Sequence, residues 1–212
     1  MAEMITLVID GKQVEARQGA TILQAARAAS IDIPTLCVHQ KLLPYGACRI
    51  CSVEAEKNGQ VRVVASCGYP VEEGLIVRTR SPRIDRIRKL LLELVAPQAM
   101  FQENVGGELR RLADEYGADI HRFEYRLNAK SNRCILCGLC ARYCEEVVGA
   151  PAIGFVGRGI ERRVVFYPDI ARRVFAGGME WAAEVCPTGK IGAESDSTYF
   201  GFTVEDFLAG RL

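Results

Sequence analysis

Nine cysteines, at Cys37, Cys48, Cys51, Cys67, Cys134, Cys137, Cys140, Cys144 and Cys186, constrain this chain more than any other feature. The first four leave gaps of ten, two and fifteen residues; the next four read C-x2-C-x2-C-x3-C, followed by a long gap to Cys186 and Pro187. Thiolates grouped this closely bind soft metals. Two such groups call for two metal sites on one chain.

Disulfide pairing is the competing reading. An odd number of cysteines leaves one thiol over. Near the N-terminus, Glu3 and Asp10 flank only the short apolar stretch MITLVI, which is no secretory signal. KLLLELVA carries Lys89 and Glu93, so no run approaches a membrane span. A reducing, cytoplasmic compartment is therefore expected, where clustered cysteines mean metal or redox chemistry. The net charge of +1 argues against nucleic acid as a partner. Two segments are locally basic, RTRSPRIDRIRK from Arg78 and RGIERR from Arg158.

Three stretches follow. In the first, residues 4–9 are β-rich, and Gly11-Lys12 turns the chain into a second strand, QVEA. Thr21 and Gln24 form a capping box for a helix through QAARAAS, which Ile31 to Pro34 ends. CSVEAE and VRVVAS read as strands joined at Asn58-Gly59, a hairpin signal, and GLIVRT as a last strand. A small mixed sheet over one helix is expected.

The middle stretch is helical. Ser81 caps, Pro82 suits the first position, and Ile84, Ile87, Leu91, Leu94 and Val95 repeat as an apolar stripe. Arg83, Arg86, Arg88 and Lys89 are expected on solvated faces. A second helical piece, GELRRLADEYG, follows.

Cys37-Val-His…Gly46-Ala-Cys48-Arg-Ile-Cys51 resembles the β-grasp fold of [2Fe–2S] ferredoxins. The ten-residue first gap is similar to that in the N-terminal domain of the complex I large iron–sulfur subunit. The small diaphorase subunit of NAD-reducing hydrogenases and iron-only hydrogenases begin in the same way. The resemblance implies a [2Fe–2S] cluster on Cys37, Cys48, Cys51 and Cys67. Gly46 and Ala47 suit a loop whose N–H groups approach sulfur. Four-cysteine zinc is the alternative, but only Cys48 and Cys51 form a close pair. These families hold a further cubane on a His/Cys3 motif in the middle stretch. Its positions here are Leu94, Gln98, Phe101 and Gly107, none an iron ligand, and His121 lies too far along to substitute.

In the third stretch, RCILCGLCARYCEEVVGAPAIGFVGRGIERRV is similar to the single-cubane region of the complex I subunit. Cys134, Cys137 and Cys140 are the expected ligands of a [4Fe–4S] cluster, with Gly138 turning the loop and Cys186 in VCPTGKI as the fourth ligand. In two-cluster bacterial ferredoxins the position of Cys144 serves the other cluster. Its companions would fall at Ala176, Met179 and Ala182, so Cys144 is expected as a buried thiol instead. GFVGRG reads as a hairpin turn, not a phosphate cradle. TVEDFLAGRL reads as a short capped helix.

The expected architecture is α+β: a β-grasp [2Fe–2S] domain over 1–79, a helical connector over 80–128, and a [4Fe–4S] ferredoxin-like domain over 129–212. No triad, catalytic carboxylate pair, flavin motif or phosphate loop is visible. The resemblance implies an electron-relay subunit between a flavin-containing NAD(P)H-oxidising subunit and a catalytic partner such as a hydrogenase, formate dehydrogenase or other reductase. Arg49 and Arg133, next to expected ligands, are candidates for raising a cluster potential. A free-standing two-cluster ferredoxin and a zinc-stabilised scaffold are the alternatives. The long middle stretch, serving no cluster, favours a docked subunit over a free carrier.

Overall fold

Two left-handed dipeptides shape the first sheet in the computed structural model, which describes residues 3–99, 107–123, 134–175 and 180–188. Asp10-Gly11 (φ +48° and +80°) and Asn58-Gly59 (φ +51° and +73°) carry successive positive φ values, the hairpin-turn geometry whose twist matches paired strands. They close β1 (Met4–Ile9) onto β2 (Lys12–Arg17) and β3 (Ser52–Lys57) onto β4 (Gln60–Ala65). β5 (Ile76–Arg78) joins the hairpins, parallel to β1 and antiparallel to β3, in the order β2-β1-β5-β3-β4. Strand alternation turns Leu7, Ile9, Val14, Ala16, Val53 and Val77 to one face.

That face packs on α1 (Ile22–Ala28), which buries Ile22, Leu23, Ala25 and Ala26. Full burial of side chains the size of Ile22 and Leu23 is worth roughly 1.5–3 kcal/mol each. The capping box forms: Gln24 N–H donates to Thr21 Oγ1 at 3.2 Å, and Thr21 N–H to Gln24 Oε1 at 2.8 Å. The helix stops short of the expected Ser30, which takes a left-handed φ of +57°. β3 starts at Ser52 rather than Cys51, and β4 ends at Ala65, which leaves Cys51 and Cys67 just outside the strands.

The middle stretch forms α2 (Pro82–Ala99) and α3 (Gly107–Glu115). Ser81 Oγ accepts from Ile84 N–H at 3.2 Å, as its capping role requires. The buried stripe differs from the expected one. Ile84, Leu92 and Ala96 are fully buried, whereas Leu94 is 42% exposed. Arg88, expected in solvent, is also fully buried, because it lies one turn from Ile84 and one turn from Leu92 on the inward face. With Leu36, Ile50, Leu109, Leu112 and Tyr116, this face forms a second core. The connector is thus packed against the segment that carries Cys48.

The last stretch holds α4 (Leu139–Glu146), β6 (Ile153–Val156), a 3-10 turn (Gly159–Glu161), β7 (Arg163–Phe166), α5 (Pro168–Val174) and α6 (Glu180–Val185). β6 and β7 pair antiparallel, so GFVGRG does lie at a hairpin connection. Cys144, Ala152, Ile153, Val164, Ala171 and Phe175 form its core. The expected helix at TVEDFLAGRL lies outside the described residues. Among the described residues, no helix is long and apolar enough to cross a membrane.

Candidate metal centres

The open end of the β3–β4 hairpin brings Cys51 and Cys67 together. Ser66 N–H and Ser66 Oγ–H both donate to the Cys51 carbonyl, at 3.2 and 2.8 Å. The irregular loop after α1 supplies Cys37 and returns through Gly46 (φ +70°) to Cys48. Cys48 N–H donates to Cys37 Sγ at 3.4 Å. The Cys37 thiol is lowered to about 6, first because the Cys48 S–H donates to it, then by the N–H groups of Cys48 and Ala47. Cys51 is lowered to about 6 in the same way by the Cys67 S–H, its N–H and, more weakly, Arg49. The donors, Cys48 and Cys67, are pushed up, because each keeps the proton it shares. The Gly46 N–H faces Cys67, and the Leu36 and Ile50 N–H groups face Cys48. A ring of backbone donors therefore surrounds these four thiols, as an anionic cluster requires.

The second set is built differently. Leu136 takes a left-handed φ of +53° and Gly138 one of +80°, so the loop doubles back and starts α4 at once. Leu136 N–H donates to Cys134 Sγ at 3.4 Å. Burial pushes Cys137 up to about 12, and the charges of Cys134 and Cys186 add to it. Cys140 is raised by burial and by Cys137, Cys134 and Cys186. These four thiols thus feel one another. Cys144 does not belong with them: its S–H donates to the Ala150 carbonyl at 2.8 Å, and burial is what raises it. Left-handed residues other than glycine are strained and concentrate at functional loops. Each C-x2-C turn holds one such residue, Arg49 (φ +61°) in the first place between Cys48 and Cys51 and Leu136 in the second place between Cys134 and Cys137.

The two sets are neighbours. Charge on Cys37 reaches Cys137. Between them, the ten residues separating Cys37 from Cys48 rest on α4. Arg142 Nη1 donates to the Leu43 carbonyl at 2.8 Å, and Lys41 Nζ to Tyr143 Oη at 3.4 Å. His39 meets the Tyr143 ring edge-on at 5.3 Å, and Tyr143 stacks on Trp181 at 4.9 Å. Tyr45 lies 3.6 Å from where a Cβ on Gly138 would sit. The long gap therefore has a structural role: its residues bridge the two thiol sets. None of these bridging contacts was read from the sequence, since each joins residues about a hundred positions apart.

Behind the first set stands Arg88. Its Nε donates to the Ile50 carbonyl at 3.0 Å, Nη2 to the Ser52 carbonyl at 2.9 Å and Nη1 to Tyr116 Oη at 2.7 Å. Ile50 and Ser52 flank Cys51. The sequence held one signal for it, a charged residue in the middle of the i, i+4 series Ile84, Arg88, Leu92, Ala96. Of the positions expected to have lost a cluster, Leu94 is exposed on α2 and Gly107 opens α3. The Gln98 side chain and Phe101 lie outside the described residues, as does Arg133. His121 is exposed, and its N–H donates to Asp119 at 3.0 Å.

Among the described residues, no three His, Cys, Asp or Glu side chains are grouped to hold a single metal ion. An all-thiol first set lined by backbone N–H donors has the donor chemistry that an iron–sulfur group takes.

A mixed sheet with a cysteine-bearing loop, followed by a cysteine-rich α/β unit, defines an iron–sulfur protein of ferredoxin type. Residues 2–82 match the family described as 2Fe-2S iron-sulfur cluster binding domain. Residues 126–192 match NADH-quinone oxidoreductase subunit 3, ferredoxin-like domain. The chain is 34% identical to the NADH-ubiquinone oxidoreductase 75 kDa subunit of Reclinomonas americana over 206 residues, which is 89% of this chain and 29% of that one. It is 39% identical to the NADPH-Fe(3+) oxidoreductase subunit alpha of Geobacter sulfurreducens over 173 residues, 74% of this chain and 20% of that one. A chain in the crystal structure of an NAD+-reducing [NiFe]-hydrogenase in the H2-reduced state superposes with a TM-score of 0.69 at 32% identity, covering 87% of this chain and 85% of that one. The chain belongs to the family of iron–sulfur electron-transfer subunits shared by complex I, in the N-terminal part of its large subunit, and NAD-reducing hydrogenases. It spans less than a third of the length of these curated relatives.

Proposed function

We propose that this chain is an electron-relay subunit of a multi-subunit NAD(P)H-linked oxidoreductase, working in the cytoplasm. Cys37, Cys48, Cys51 and Cys67 hold a [2Fe–2S] cluster in a domain over 1–79. Cys134, Cys137, Cys140 and Cys186 hold a [4Fe–4S] cluster in a domain over 129–212, joined by a connector over 80–128. These clusters supply one-electron transfer. The chain's own residues hold the thiols, exclude water and keep the two sites side by side. The observation that carries this reading is the seating of the Cys37–Cys48 segment on α4, the helix that carries Cys140, through the Arg142–Leu43 and Lys41–Tyr143 contacts.

A flavin-containing NAD(P)H-oxidising subunit stands at one end of the relay and a catalytic oxidoreductase subunit at the other. Leu43 and Tyr45, 75% and 58% exposed beside the first thiol set, offer an apolar edge for a partner. Isolated chain should oxidise no NADH, and should restore NADH-linked reduction when mixed with its flavoprotein partner. In Cys48→Ala, the second site should then no longer be reduced by NADH. Undiminished reduction there would reverse the proposed series order.

A further inference from the structure

Among the described residues, two side chains that carry charge at neutral pH, Arg88 and Glu93, are essentially fully buried, and they are treated differently. Glu93 is paired with Arg122 Nη1 at 2.6 Å and accepts the Asp119 N–H at 3.3 Å. Arg88 has no carboxylate partner among the described residues. Its guanidinium makes its three hydrogen bonds to the carbonyls of Ile50 and Ser52 and to the Tyr116 hydroxyl, and its charge lies 5.5 Å from the Tyr116 ring centre. Guanidinium stays charged inside proteins, and a buried charge without a counter-charge is strongly unfavourable. Something anionic should therefore lie near Arg88, and its bonds to the carbonyls on either side of Cys51 direct it to the group held there.

We propose that Arg88 is the fixed counter-cation of the cluster held by Cys37, Cys48, Cys51 and Cys67, and that it raises that cluster's reduction potential. This rests on the [2Fe–2S] reading above. The group is anionic in its oxidised state, and one added electron makes it more so. A cation that cannot leave or lose its proton favours the reduced form, so no proton accompanies the electron. Arg88 also draws the Ile50 and Ser52 carbonyl oxygens towards itself. That leaves the N–H ends of this segment, such as the Ile50 N–H facing Cys48, for sulfur. Arg49 is closer in sequence to the thiols, but it is exposed, and solvent and salt screen it. Arg88 is screened by neither. It touches no reacting atom, so it is a positioning residue with an electrostatic effect.

The test is an EPR-monitored dithionite titration of the full-length, cluster-loaded chain and its Arg88→Met, Arg88→Gln and Arg88→Lys variants. Both neutral variants should shift the [2Fe–2S] midpoint to more negative potential by tenfold or more in the oxidised-to-reduced ratio, about 59 mV for one electron. The second cluster, as internal control, should not move, and Arg88→Lys should stay within that limit. A loaded neutral variant with an unchanged or more positive [2Fe–2S] potential overturns the inference. If the neutral variants lose [2Fe–2S] iron, reloading in Arg88→Lys supports the counter-charge role, and failure to reload reduces Arg88 to a purely geometric role and overturns it. A wild-type chain without a [2Fe–2S] signal would instead sink the underlying site reading.

Discussion

The two thiol sets sit a few residues of packing apart, yet their surroundings treat negative charge in opposite ways. Around Cys37 and Cys51, a thiol donor and backbone N–H groups outweigh burial and lower both to about 6. Around Cys137, burial and like charge win, and the thiol rises to about 12. The first site is shaped for charge before any metal arrives: the loop and the hairpin end aim N–H donors at it. The second is a short left-handed loop capped by a helix, where metal binding itself has to displace the protons. Each has a C-x2-C turn with one left-handed residue, Arg49 in the first place and Leu136 in the second, and the two turns differ further in what packs around them.

The largest expected effect tests whether the two sets are separate units. Cys137→Ala or Cys186→Ala should remove about four of about six irons, and Cys48→Ala about two. Cys144→Ala should leave iron and sulfide content unchanged, because its thiol bonds to the Ala150 carbonyl in the core. Loss of iron in that variant would redraw the second set.

The next effect probes the floor beneath the first site. Leu112 is fully buried with Leu92, Leu109 and Ile50. Leu112→Ala should destabilise by about 2–5 kcal/mol in chemical denaturation. It should also make [2Fe–2S] iron more accessible to chelators while the second site holds. Equal release from both sites would show that the connector supports them as one block.

The bridge between the sites should matter less. Arg142→Ala removes the bond to the Leu43 carbonyl and the Glu146 pair, at about 1–2 kcal/mol. Faster amide hydrogen exchange in the Cys37–Cys48 segment, with both clusters retained, is the expected readout. Unchanged exchange would mean that the Tyr143 and Tyr45 contacts alone hold the bridge.

The smallest effect is the most direct on charge. In the reduced, metal-free chain, ultraviolet thiolate absorbance should rise near pH 6 as Cys37 and Cys51 ionise, since their values are lowered. Cys137, raised to about 12, should contribute nothing until strongly alkaline pH. Cys48→Ala removes the S–H donor and should return Cys37 towards the ordinary thiol value of 9.0. A single rise near that value for every thiol would erase the contrast between the sites.

Most of the frame was legible in the chain itself. Turn dipeptides, the Thr21–Gln24 box and strand alternation are local signals, and each acts over a few residues. Cysteine spacing marked both thiol sets for the same reason, since a short gap limits how far two sulfurs can separate. The connector was harder to read. Its apolar pattern points about one residue away from the buried face, which turns Leu94 inward on sequence alone and Arg88 outward, whereas Leu94 is exposed and Arg88 buried. A charged side chain looks solvated until its buried acceptors are known, and those acceptors are carbonyls of residues 36 and 38 positions away.

The sequence by itself determined where the cysteines cluster and the turn dipeptides that close the sheet's hairpins. Chemistry of that kind resides in residue identity and local spacing. Tertiary structure alone decided that the ten-residue gap bridges to α4 and that Arg88 sits buried against the carbonyls on either side of Cys51. Those facts depend on which distant surfaces bury each other, and burial is settled only when the whole chain has packed.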